Sequence, residues 1–163
     1  MTTPKKGLWK KGRGKLGALD PLIGSWQAET DSPMGRIRCT RTFSRILNGH
    51  RILLEARWHI GEKVYEEHAI YGVDDSGGLA FWSFTSDGKR SQGALTDATD
   101  LHPEAIAFEA EMPAGTARMV YWPEDQGAMS WVVESKTKKG WNRFTHHHYV
   151  AGFAAVPGAG ERR

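Results

Sequence analysis

His146, His147 and His148 form the run with the most direct access to metal or haem chemistry, because neutral imidazole is the commonest metal ligand. On an extended segment, alternation puts His146 and His148 on one face with Phe144 and Val150, and His147 on the other with Thr145 and Tyr149. In either register at least one imidazole points inward. An inward histidine could serve as the axial ligand of a haem iron. His146 and His148 together could chelate zinc if His68 or Glu67 supplied a third ligand. Ordinary surface histidines, or one core imidazole bonded to a carbonyl, account for the same run without a cofactor.

Arg41 shares its face with Ile37, Cys39 and Phe43, which directs its guanidinium inward. A buried guanidinium requires a partner. That partner is either an internal acid such as Glu67, or a ligand carboxylate or phosphate gripped by the planar fork. Trp58, Phe108, Met129 and Trp131 fall on apolar strand faces and are expected, with Arg41 and Glu67, to line a ligand cavity. Glu67, His68 and Tyr71 could form an acid-base pair in an apolar pocket. No nucleophile, base and orienting group come together in the sequence, so binding is favoured over catalysis. A Gly-x-Ser-x-Gly elbow, a phosphate loop and a His-Glu-x-x-His motif are all absent.

The elements that must position these residues are strands. Period-two alternation recurs over 24–30, 35–45, 50–60, 64–73, 79–85, 90–96, 105–112, 116–122, 128–136 and 141–150. Turn residues separate them, Asn48-Gly49 being the strongest hairpin signal. Asp20 to Gly24 reads as a short helical turn leading into the first strand. Connections this short join antiparallel neighbours, since a parallel crossover needs a dozen residues or more. About ten such strands without covering helices are expected to close, because closure removes exposed edges. The expected fold is an all-β, closed antiparallel up-and-down barrel with a short N-terminal helical turn.

The chain has 163 residues, 39% of them hydrophobic and 25% charged, which fits one globular domain. A single cysteine excludes a disulfide scaffold. The net charge of +3 is uneven, because six of the 22 basic residues, and no acidic one, fall within residues 1–15. The rest of the chain is therefore mildly acidic. The expected division is a basic flexible tail over 1–17, the barrel over 18–152 and a flexible C-terminal tail over 153–163. The basic tail, carrying Trp9, is a candidate for nucleic-acid or anionic-membrane contact, although a solvated arm explains it as well. No apolar segment follows the lysines, so a cytoplasmic location is expected. A homodimer is left open.

Leu22-Ile23-Gly24-Ser25-Trp26 resembles the opening of the calycin superfamily, a helical turn followed by Gly-x-Trp. The resemblance implies a lipocalin-like barrel closed at one end by Trp26, with Gly24 and Trp26 in structural roles. Arg41-Thr42-Phe43, Leu47 to Leu53 and Tyr71-Gly72-Val73-Asp74 are similar to an uncharacterised bacterial family of lipocalin-like barrels. More distantly the chain resembles the nitrobindin haem barrels, in strand number, the Gly-x-Trp start and histidines on the final strand. It departs from them after Trp26, where Gln27, Ala28, Glu29 and Thr30 replace alternating glycines. The expected function is to hold one small, largely apolar and, through Arg41, acidic ligand. The alternative is haem bound by a histidine of the last strand.

Overall fold

Ten strands follow one another in chain order around a closed antiparallel barrel. They are β1 (Gly24–Ser32), β2 (Gly35–Ile46), β3 (Arg51–Ile60), β4 (Lys63–Val73), β5 (Leu79–Thr85), β6 (Arg90–Thr96), β7 (Ile106–Met112), β8 (Gly115–Pro123), β9 (Met129–Thr137) and β10 (Gly140–Ala151). The computed structural model describes residues 8–152, so expectations for 1–7 and 153–163 lie outside the described residues. Within it no helix is long and apolar enough to cross a membrane.

Inward- and outward-facing residues alternate along the strands, as the period of two requires, most plainly in β2 and β3. Ladders of four to ten paired positions join successive strands, but β1 and β10 pair at only two, Trp26↔Ala151 and Gln27↔Val150. One further bond, from Gly152 N–H to Ser25 O, ties the same end.

That end of the barrel is plugged. The helical turn expected near Asp20 is a longer 3-10 helix, Leu16–Leu22, which buries Leu19 and Leu22. Pro21, inside this helix, supplies no N–H. Gly24 follows at φ 132°, a conformation that L side chains resist. The chain thus swings straight into β1 and lays Trp26 across the barrel floor, where its indole Nε1–H donates to Leu22 O at 2.9 Å. The backbone N–H groups of Leu8 and Trp9 both donate to the Glu104 carboxylate at 3.0 Å, and Trp9 packs on the core.

Above the plug the barrel is full. Tyr71 and Phe108 stack edge to face at 5.0 Å, Phe81 and Phe108 at 5.7 Å, and Phe43 and Tyr121 at 5.8 Å. Ile52, Leu54 and Met129 belong to the same buried cluster. A smaller apolar cluster, Ala98, Ala107, Val120 and Val132, lies outside the wall under the 97–105 segment. Beside it Arg118 is buried, bonding Glu134 at 2.9 Å and both Asp100 oxygens at 3.1 and 2.8 Å.

Candidate ligand-binding site

The opposite end of the barrel is hollow. The β3–β4, β5–β6, β7–β8 and β9–β10 turns surround a cavity of about 410 Å³. It opens at the turns because the residues that would fill it are short: Ser83 and Ser91 on β5 and β6, Ala110 on β7, Ala117 on β8 and Ser135 on β9. The rest of the wall is mostly apolar, with Trp58, Tyr65, Met119, Trp131 and Val133 inside and Met112 and Phe144 at the rim.

Of the six residues expected to contact a ligand, Trp58, Glu67 and Trp131 line this cavity. Arg41 points inward as alternation requires, but it lies beneath the cavity and is only 1% exposed. Its guanidinium carbon sits 4.3 Å from the Trp131 ring centre and 5.7 Å from those of Trp58 and Tyr121. The partner the sequence left open is Glu67, whose Oε1 lies 3.9 Å from Arg41 Nη2. Arg41 Nε and Nη1, Tyr121 Oη and Trp131 Nε1 are buried without hydrogen-bond partners. Burial raises the Tyr121 and Tyr149 hydroxyls, so they meet the guanidinium as neutral phenols. Phe108 and Met129 occupy correct inner faces but lie in the filled half, away from the cavity lining.

The histidine run is divided between the two sides of the wall. β10 carries one extra residue between Arg143 and Thr145, where its register against β9 slips. That bulge releases Phe144 from the grouping with His146 and His148 and places it at the cavity rim. Beyond it His147 and Tyr149 are buried, while His146 and His148 are exposed. The inward pair His146 and His148 is therefore not formed. His146 sits outside, 6.0 Å from Trp122 and within 3.3 Å of Ser130 Oγ. Glu67 is on the inner side and His68 is exposed, so neither supplies a third ligand or an adjacent acid-base pair. Among the described residues no group of three potential ligands could hold a metal ion.

The haem alternative meets His147 alone. Its ring is packed 5.2 Å from Trp131 and 5.9 Å from Tyr149, with Nδ1 3.4 Å from Tyr149 Oη, and it does not line the cavity. No histidine of the run is among the residues that line the cavity, so none stands where it would ligate a haem held there.

Burial, with Arg41 and His146 adding positive charge nearby, lowers His147 to about 4. An unfolded histidine titrates near 6.5, so the unfolded chain takes up this proton first as pH falls. Stability is therefore expected to drop between about pH 6.5 and 4. His59 and His146 are lowered too but are more exposed, so the drop should shrink markedly in His147→Gln. Urea unfolding at several pH values in both proteins measures it. An unchanged slope in the variant would remove His147 as the cause.

Tyr65, Met119 and Phe144 were not singled out in the sequence. Tyr65 was legible in principle, because it lies cross-strand from Trp58 on the same face, 5.4 Å ring to ring. Phe144 was not, because nothing in a period-two pattern marks where a bulge falls.

No known protein family matches the chain, and no curated protein matches it. Solved structures do match. One is a de novo designed fluorescence-activating beta barrel, 14% identical, with a TM-score of 0.42, covering 83% of this chain and 97% of that chain.

Proposed function

We propose that this protein is a small-molecule-binding barrel that holds one largely apolar ligand in the cavity at its open end. The observation that carries the reading is the contrast between the two halves of one interior. One half is filled by interlocking aromatic rings, and the other is left open by five short residues under a rim of Met112 and Phe144. Leaving apolar wall unpacked costs stability, which a fold without a ligand has no reason to accept. Concave, mostly apolar sites with few polar groups are the usual form of small-molecule sites. The flat indoles of Trp58 and Trp131 suit flat aromatic or extended aliphatic bodies.

The test is a titration with N-phenyl-1-naphthylamine and with long-chain alcohols, followed by probe emission and tryptophan quenching. Binding at one equivalent is expected, weakened at least tenfold by Ala117→Phe, which fills the cavity from its own wall. No saturable binding to either probe class, or equal binding in Ala117→Phe, would overturn the reading.

A further inference from the structure

The polar end of the ligand can be read from what the cavity wall offers it, an inference that rests on the cavity being where the ligand sits. Three hydroxyls of the wall already direct their hydrogens to protein carboxylates. Ser83 Oγ donates its hydrogen to Glu67 Oε2 at 2.5 Å. Thr85 Oγ1 donates to Asp87 at 2.5 Å, and Thr116 Oγ1 to Glu111 at 2.7 Å. A hydroxyl has one hydrogen, so these three groups can now only accept from a ligand. Ser91, Ser135 and Tyr65 add hydroxyls of either sense and Trp58 an indole N–H, and none of these groups is a cation.

The one carboxylate among the lining residues is that of Glu67. Its Oε2 is taken by Ser83, while among the described residues no hydrogen bond reaches Oε1. Arg41 stands 3.9 Å from that oxygen, too far to bond it but close enough to balance its charge. Of the orphaned donors of the region, Arg41 Nε and Nη1 belong to a residue outside the lining, and Trp131 Nε1, though on a lining residue, is buried and uncharged. An acidic ligand would therefore meet a carboxylate first and its intended arginine not at all. An ammonium would satisfy Glu67, but only by adding a second positive charge beside Arg41.

We infer that the barrel selects a flat apolar ligand carrying an uncharged hydrogen-bond donor, a hydroxyl or an amide-type N–H, which donates to Glu67 Oε1. The anchor is Glu67, with Arg41 as the residue that balances it.

Calorimetric titration of the full chain with four molecules sharing one body tests this: 2-naphthol, 2-methoxynaphthalene, 2-naphthoate and 2-naphthylmethylammonium. The naphthol should bind tightest, about tenfold or more above its methyl ether, as expected for one hydrogen bond to a charged acceptor. Glu67→Met should bring naphthol and ether close to parity. If that variant does not fold, the wild-type series decides alone. Naphthoate binding as well as naphthol would overturn the inference and make Arg41 the anchor. The ammonium or the ether binding as well as naphthol would overturn it too, while leaving the apolar-ligand reading in place. Saturable binding by none of the four would remove both.

Discussion

Glu67→Gln is expected to cost about 3 kcal/mol of folding stability, a fall in melting temperature of roughly 10 °C, whereas Arg41→Met should change it by less than about 1 kcal/mol. The two partners of one ion pair differ because their surroundings differ. Arg41 is sealed in, with two of its nitrogens unpartnered and Glu67 the only carboxylate within 4 Å among the described residues. Removing that carboxylate strands a buried cation, the costly way to break a pair. Glu67 instead borders an open cavity and accepts from Ser83, so it can lose Arg41 and still be solvated. Methionine keeps most of the bulk among the rings and removes the unmatched donors. The double variant should therefore resemble Arg41→Met alone. Urea unfolding of all four proteins closes the cycle. Equal costs for the two single variants would mean that the pair, and not the burial of the guanidinium, sets the energetics.

Trp26→Ala is expected to lose about 4 kcal/mol, and Trp26→Phe roughly 2 kcal/mol. The indole is the floor of the barrel, packed with Leu19 and Leu22. Alanine leaves a void there with little means of collapse, because β1 and the 3-10 helix are joined by Ile23 alone. Phenylalanine restores most of the packing but leaves the Leu22 carbonyl without its 2.9 Å bond from Nε1. Equilibrium unfolding separates the two contributions. Similar losses for both variants would assign the role to the hydrogen bond, and a loss under 1 kcal/mol for alanine would mean that the floor is held by the helix itself.

The strands were legible because period-two patterning and Asn48-Gly49 report local geometry that the barrel does not change. Inner faces were legible for the same reason, and Arg41, Trp58, Glu67, Phe108, Met129 and Trp131 all point inward. Height along the barrel was not legible. It depends on the stagger of ten strands, and it separates Trp58 and Trp131 at the cavity from Phe108 and Met129 in the filled half. The single extra residue at Phe144 decided the fate of the histidine run, a change of pairing that alternation cannot foresee. Arg118 and Glu134 escaped notice because an outward-facing charge reads as solvated until a segment such as 97–105 folds over it.

Around a meander barrel every strand has two neighbours, and where the chain starts is in principle arbitrary. Here it is not neutral. Nine of the joints are held by a short connecting segment as well as a ladder, and the tenth, between the first and last strands, has no such segment and only two rungs. Every other contact between strands can form as a local hairpin, with little entropy to overcome. The tenth must gather the whole circumference before its first bond forms. The ring is thus a curled ribbon with a clasp, and the clasp sits beside the Trp26 floor, so the residues that seal the bottom of the barrel also hold its two ends together.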